Sequence, residues 1–286
     1  MPIASIVLDF DPILRLGDVT IRWQAVALTA VVLVALALTA LRARRAGLRP
    51  DDLLFIVVGV VPGAVIGGRL GYVLGHADFY RDNPGAIVDP AQGSATLGLA
   101  VLGGMLTGAI VARLLGTPIR PWLHAATLPI LLSIGLGKLA MILVGAGQGI
   151  PADLAWATAY AGRGPWGSLA PEIASHPTQA YEGLVALTAA LVIALAGRAF
   201  GAGTGRIFLA GVGLWAIGRF AIGFTWRDAE VVGPLRVEQL IALAVVATCA
   251  VLLVIRPAGS TVGGVGRDDP ATAQPEWPDP ATRPRF

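Results

Sequence analysis

The stretch LLFIVVGVVPGAVIGGRLGYVL, residues 53–74, carries a single charged side chain, Arg69, in 22 positions. A membrane-spanning α-helix needs about 20 predominantly apolar residues, because it rises about 1.5 Å per residue through a hydrocarbon layer about 30 Å thick. A helix also pairs its own backbone N–H and C=O groups, for which lipid offers no partner. The stretch therefore predicts a membrane-spanning helix.

Six further apolar runs of similar length lie along the chain. They cover Trp23–Leu41, Ala95–Leu115, Trp122–Val144, Pro177–Leu195, Gly205–Phe224 and Val237–Ile255. Only 14% of the residues are charged and the mean hydropathy is +0.73, whereas roughly a quarter of the residues in soluble domains are charged. The sequence therefore predicts an all-α, multi-pass membrane bundle of about seven helices. It excludes an ordinary soluble enzyme and a disordered protein.

The charges between the spans predict how the chain lies in the membrane. Arginines concentrate in the links after spans one, three and five, whereas the other side holds more acid, such as Asp9, Asp11 and Asp18. Because basic residues mark the cytoplasmic side, we expect the N-terminus outside and the C-terminus inside. Residues 1–256 form the predicted seven-span domain, with an outer loop at 145–175. Residues 257–286, rich in Pro, Gly, Asp and Thr, form a predicted disordered cytoplasmic tail.

Two features of the composition limit the possible partners. The basic residues are spread along the chain, so the net charge of +3 does not indicate a nucleic-acid surface. Cys249 is the only cysteine, which excludes an intrachain disulfide and a CxxC metal site.

Four ionisable residues inside the spans require an explanation: Arg69, Lys138, Glu182 and Arg219. Each costs roughly 2.5–3.5 kcal/mol on insertion scales. All four lie about 8–10 Å from the outer end of their span, which predicts one polar chamber in the outer half of the membrane. Three cations there face one carboxylate, so a phospholipid phosphate is expected to complete the cluster. The alternative is one buried ion pair, with the other two side chains extending outward to water.

The segment HPTQAYE, residues 176–182, opens span five. Pro177 suits a first helical turn, and Gln179 is placed to bond back to the cap residue. The free N–H groups of this turn, facing the headgroup layer, would form an anion site. His176 is either a capping residue or a substrate contact. The preceding loop carries Trp156, Tyr160 and Trp166, which predict either interfacial anchors or a lid over the outer leaflet.

Several motifs occur in order along the spans. They are GGRLGYVL at 67–74, the pair Gly103-Gly104, GLGK at 135–138, HPTQAYE at 176–182, and Arg219. By themselves the glycines predict close helix packing. Together the motifs resemble the prolipoprotein diacylglyceryl transferase family, over about residues 19–255.

The resemblance implies a seven-span protein of the bacterial cytoplasmic (inner) membrane. Such a protein moves diacylglyceryl from the anionic phospholipid phosphatidylglycerol to the lipobox cysteine of a prolipoprotein signal peptide. It implies no metal and no nucleotide cofactor. The catalytic roles would belong to Arg219, Lys138 and Glu182. The substrate-binding roles would belong to Arg69, Tyr72, Gly103, Gly104, His176, Gln179 and Tyr181.

The sequence departs from the family pattern at four places. The histidine before the glycine pair is Leu102, and the family's GRLGN reads GKLAM at 137–141. The tyrosine after the tryptophan of span one is Gln24, and the acid four residues after Arg219 is Gly223. These changes predict low or absent activity. Two alternatives remain: a paralogue that only binds phospholipid or lipoprotein precursor, and a small-molecule transporter.

Overall fold

A computed structural model of the protein describes residues 5–89, 94–162, 164–200 and 203–255. Within these ranges seven helices are long and apolar enough to cross a membrane, and a shorter one lies between the second and the third. In chain order the eight helices are α1 (Trp23–Arg45), α2 (Asp51–Gly75), α3 (Ala77–Asp82), α4 (Leu97–Leu114), α5 (Ile119–Ala140), α6 (Thr178–Ala196), α7 (Arg206–Ile222) and α8 (Val237–Ile255).

The predicted all-α bundle of about seven spans is confirmed. The bounds of the last span agree at both ends, and the others differ by a few residues. The chain continues from α5 as a 3-10 turn at Met141–Val144, and from α7 as another at Gly223–Thr225. The tail predicted at 257–286 lies outside the described residues.

In the described part of the chain, six short strands, which the sequence analysis does not predict, form three two-stranded ribbons. The strands are β1 (Ile6–Asp9), β2 (Ile13–Leu16), β3 (Val19–Arg22), β4 (Thr158–Ala161), β5 (Glu230–Val232) and β6 (Leu235–Arg236). β1 pairs in parallel with β4, while β2–β3 and β5–β6 are antiparallel hairpins. The ribbons lie at the end of the bundle where α1, α6 and α8 begin, which we call the capped end.

Helices α2 and α4 pack through glycine. A side-chain carbon added at Gly103 would overlap the carbonyl oxygen of Gly63, and one added at Gly67 would overlap that of Leu99. The two backbones therefore touch directly, as small residues permit in membrane helices. The contact holds α2 and α4 together as a pair.

The buried apolar core lies among α5, α6, α7 and α8. Its largest side chains are Leu131, Ile193, Phe208 and Trp215, with several alanines between them. α1 packs along α5, away from the α2–α4 pair. The space between α1 and α4 at the capped end remains open, and the charged residues predicted from the sequence converge there.

Candidate functional site

Four charged side chains from four helices form one connected cluster. Arg219 on α7 donates from Nη1 to Oε2 of Glu182 at 3.0 Å and from Nη2 to Oε2 of Glu238 at 2.5 Å. Lys138 on α5 forms an ion pair with the same Oε2 of Glu182. We call Lys138, Glu182, Arg219 and Glu238 the charge cluster. It joins α5, α6, α7 and α8.

Three of the four residues lie at helix ends that favour their charge. Lys138 and Arg219 lie in the last turns of α5 and α7, where the negative end of the helix dipole stabilises a cation. Glu238 lies in the first turn of α8, where the positive end stabilises a carboxylate. Because neighbouring helices run antiparallel, these ends meet at the same depth. The helix dipoles and the ion pairs between side chains therefore both stabilise the charge cluster.

Arg219 is enclosed on several sides. Its guanidinium lies 4.8 Å from the ring centroid of Trp226 and 5.5 Å from that of Trp215, within the range of cation–π attraction. Glu238 also accepts the backbone N–H of Gly98 on α4, at 3.2 Å. Among the described residues, Nε of Arg219 has no acceptor and Oε1 of Glu238 has no donor. Both atoms are buried, so each is a polar group of the cluster that the described residues leave unsatisfied.

The charge cluster forms part of the wall of a cavity of about 580 Å³ between α1, α4 and α5. Gln24 and Asp228 lie on its wall near the capped end, whereas Val31 and Val32 lie further along α1. Val32 is 51% exposed although it borders the cavity. The cavity is therefore open on the flank of the bundle, at a depth where the surrounding residues are apolar.

The charge balance of this cavity differs from the prediction. Its described wall carries two cations, Lys138 and Arg219, and three carboxylates, on Glu182, Asp228 and Glu238. The predicted surplus of positive charge is therefore wrong. The sequence analysis missed Glu238, since a carboxylate in the first turn of a span resembles an interfacial residue. The sequence feature that could have revealed Glu238 is its place on the span that directly follows the one carrying the buried Arg219.

Arg69 does not join the charge cluster, contrary to the prediction of one shared chamber. Its guanidinium donates to the backbone carbonyl oxygens of Ala86, Ile87 and Asp89, at 2.6–2.9 Å, and lies over the ring of Tyr80. The glycine face of α2 contacts α4, so Arg69 projects from another face toward the loop. It also approaches the carbonyl oxygen of Ser94, at 3.4 Å, and Ser94 lines the cavity.

Tyr72, one turn after Arg69, lies on the cavity wall. Its ring stacks on His76 with a centroid separation of 4.1 Å, so its orientation is fixed. Gly103 and Gly104 instead lie in the α2–α4 contact and not on this wall. The structure therefore gives Gly103 a packing position, because the backbones of α2 and α4 approach too closely there to leave room for substrate, while Gly104 packs against Val60 of α2.

The first turn of α6 is covered rather than exposed to headgroups. Thr178 and Gln179 are each 1% exposed. Gln179 does not bond back to the cap residue as predicted; it donates from Nε2 to the hydroxyl of Tyr160 at 3.0 Å. Burial raises the pKa of Tyr160 to about 12. The predicted anion site at this helix end is wrong, because the 145–175 loop folds over the turn.

The loop is fixed by its own polar contacts. Gln148 is buried and donates from Nε2 to the carbonyl oxygen of Thr158 at 2.5 Å. Trp156 donates from Nε1 to the hydroxyl of Tyr181 at 2.7 Å, and His176 lies 3.4 Å from the same hydroxyl. Of these, Trp156 stays exposed, as a membrane anchor would. Within the described part of the loop, Gly147 alone borders the cavity.

Leu102 on α4 lies beside the charge cluster. Together with Trp215, Arg219 and Glu238 it borders a small void of about 10 Å³. The position that holds histidine in the family pattern therefore borders the same void as Arg219, and here it is apolar.

Comparisons with known proteins show the family to which the chain belongs. The chain matches the family model described as "Prolipoprotein diacylglyceryl transferase" over residues 12–255. It is 28% identical over 253 residues to the phosphatidylglycerol–prolipoprotein diacylglyceryl transferase of Trichormus variabilis, covering 85% of this chain and 88% of the relative. It is 25% identical over 228 residues to the protein of that name from Clostridioides difficile, covering 80% and 88%. This multi-pass membrane protein belongs to the prolipoprotein diacylglyceryl transferase family.

Proposed function

We propose that this protein transfers the diacylglyceryl group of phosphatidylglycerol to the thiol of a prolipoprotein's lipobox cysteine, in the bacterial inner membrane. One observation carries the proposal. Lys138 and Arg219 lie on the wall of a flank-open cavity within the membrane-spanning part of the chain. A buried site of this kind suits a substrate that presents a phosphate while its acyl chains remain in lipid. The names of the relatives support the same reaction.

The reaction forms a bond between the cysteine sulfur and the glyceryl carbon while the bond from that carbon to the phosphate oxygen breaks. Glycerol phosphate leaves with the electron pair, so negative charge develops on its oxygen. Lys138 and Arg219 would stabilise that charge in a site shielded from water. The unpaired Nε–H of Arg219 is a donor that glutamate does not occupy.

The thiol must also lose its proton to a base. The carboxylate of Glu238 has an unpaired Oε1 and lies on the cavity wall, so we assign it this role. A carboxylate is intrinsically a weaker base for a thiol than an imidazole, the side chain that general-base catalysis uses most often. Leu102 supplies no imidazole that could help. We therefore expect slow transfer, lower than an enzyme with histidine there by about 10²–10⁴.

The second candidate function is binding without transfer, and Leu102 is the observation in its favour. Leu102 is apolar and borders the same void as Trp215 and Arg219. It cannot deprotonate a thiol, and it can also keep a thiol out of this part of the site. Such a paralogue would still hold anionic phospholipid through Lys138 and Arg219. The two candidates differ in whether any labelled thioether forms.

The experiment expresses the full chain in a strain depleted of its own diacylglyceryl transferase and follows labelled phosphatidylglycerol into a prolipoprotein. The wild-type chain should give slow transfer. Leu102→His should raise the rate by roughly tenfold or more, because it adds a base beside the charge cluster. Leu102→Gln is the matched control, polar and of similar size but without a base.

The outcomes separate the candidates. Slow transfer that Glu238→Gln abolishes supports the proposal. Full rescue by the wild-type chain would contradict the role given to Leu102. Phosphatidylglycerol binding without transfer, even in Leu102→His, would favour the binding-only function. Neither binding nor transfer would refute both.

A further inference from the structure

A second polar cavity, of about 430 Å³, lies at the end of the bundle opposite the capped end. It lies where α1 ends and α5 begins. We call it the basic pocket, and its described wall consists of Arg42, Arg45, Ala46, Pro121, His124, Ala125 and Gly203. It shares no residue with the cavity of the charge cluster.

The charge of the basic pocket is uncompensated. No carboxylate is among its described wall residues. Within the described ranges, neither Arg42 nor Arg45 takes part in an ion pair. The charge cluster differs in this respect, since each of its cations contacts a glutamate. Two adjacent guanidinium groups without a counter-charge repel one another, so an anion between them would stabilise the pocket.

One guanidinium of the basic pocket is held in place. Arg42 donates from Nε to the backbone carbonyl oxygen of Ala125 at 2.9 Å, which fixes its guanidinium against α5. Its Nη groups donate no hydrogen bond to the described residues, and such a planar pair of donors suits bidentate binding of a phosphate. Nδ1 of His124 is buried and also has no partner among the described residues. Among the described residues, the pocket thus holds one anchored guanidinium with unpaired Nη groups and an unpaired ring nitrogen on His124, beside the exposed guanidinium of Arg45.

We infer that the basic pocket binds a phosphate group, carried either by the headgroup of an anionic phospholipid or by a free phosphate. Basic pockets between membrane helices bind such headgroups through this chemistry. The volume exceeds what a phosphate alone needs, so a headgroup with its glycerol also fits. The inference is independent of the proposed transfer reaction, because Arg42, Arg45 and His124 lie outside the catalytic cavity.

The test uses the full chain purified in detergent, as wild type, as Arg42→Gln/Arg45→Gln, and as a matched control, Arg44→Gln/Arg113→Gln. Arg44 and Arg113 are exposed at the same end and do not border the pocket, so the control loses the same charge. Native mass spectrometry counts bound dioleoyl-phosphatidylglycerol, with dioleoyl-phosphatidylcholine as the control lipid. A second arm measures the shift in unfolding temperature on adding inorganic phosphate.

We expect wild type and control to retain one more phosphatidylglycerol than the pocket variant, or to bind it about tenfold more tightly. If the ligand is free phosphate, the shift in unfolding temperature should instead be lost in the pocket variant alone. Equal behaviour of wild type and pocket variant in both arms would overturn the inference. Equal loss in the control, or equal retention of phosphatidylcholine, would also overturn it. If the double variant does not fold, the single variant Arg45→Gln replaces it in the test, because the side chain of Arg45 is exposed.

Discussion

Arg69 and Arg219 lie at similar depths in their spans, yet the structure places them in opposite environments. Arg219 is 5% exposed and forms ion pairs with glutamates on both neighbouring helices. Arg69 lies near the surface of the bundle and donates to backbone carbonyl oxygens of the loop after α3. The neighbours explain the difference. α2 meets α4 through glycines, which offer no side chain, whereas α7 lies between two helices that each supply a carboxylate.

The comparison shows that depth alone does not assign a role to a membrane arginine. A buried guanidinium needs an acceptor, and that acceptor can be a loop carbonyl or a carboxylate on another helix. In the first case the residue orders a loop. In the second it joins a cluster that connects several helices, which is the one proposed above to hold an anion. The predictions below test this distinction, from the largest expected effect to the smallest.

Arg219→Ala should have the largest effect. It leaves Glu182 with Lys138 alone and leaves Glu238 without a cation, and removing one partner of a buried pair costs about 3–5 kcal/mol. Loss of a donor to the leaving phosphate should also lower transfer by at least about 10². Thermal unfolding in detergent and labelled lipid transfer in membranes measure the two effects.

Arg219→Lys is the control, because it retains the charge without the planar fork that contacts both glutamates. It should recover most of the stability and only part of the transfer. If Arg219→Ala unfolded at the wild-type temperature, the charge cluster could not be what joins these helices.

The glycine side of the comparison predicts a purely structural effect. Gly103→Ala places a methyl group against the carbonyl oxygen of Gly63, so α2 and α4 must separate. Overpacking of this kind typically costs about 1–3 kcal/mol. Thermal unfolding should show the loss, while transfer per folded molecule stays close to wild type, since Gly103 does not border the cavity.

Gly213→Ala in α7 provides the matched substitution. Its added carbon would meet Cβ of Cys249 at 3.5 Å, an ordinary contact, so stability should hardly change. A large loss of transfer in folded Gly103→Ala would contradict the packing position given to this glycine and restore its predicted substrate role.

The parts of the structure that depend on composition could be predicted from the sequence. The seven spans follow from hydropathy, because a helix must be apolar over about this length to cross the hydrocarbon layer. Lys138, Glu182 and Arg219 could be grouped because a charge in a span is costly and needs a partner. Their common depth then indicated a shared chamber.

The parts that depend on distant pairing could not be predicted. The strand Ile6–Asp9 pairs with Thr158–Ala161 across about 150 residues, and neither strand carries a periodic signal of its own. Gln179 has the local position of a helix-capping residue. Its amide instead donates to the hydroxyl of Tyr160, which the folded loop brings close to it. Glu238 was overlooked because its importance comes from Arg219 on another helix.

The smallest effect is expected at Arg69. Arg69→Gln shortens the side chain and removes donors to the carbonyl oxygens of Ala86, Ile87 and Asp89, at a cost of about 1–2 kcal/mol. Because Arg69 does not border the cavity, we expect transfer to fall less than about tenfold, through loosening of the wall near Ser94. Amide hydrogen exchange of residues 84–89 should rise, since local opening follows the loss of such anchors.

Arg81→Gln is the matched control for this loop. Arg81 and its partner Asp78 are both largely exposed, at 75% and 97%, so their ion pair contributes little and exchange should stay unchanged. If Arg69→Gln abolished phosphatidylglycerol binding without altering exchange at 84–89, Arg69 would be a direct lipid contact. The contrast between the two arginines would then fail, because both would bind the same anion. If exchange rises and binding persists, Arg69 acts on the site only through the loop that it holds.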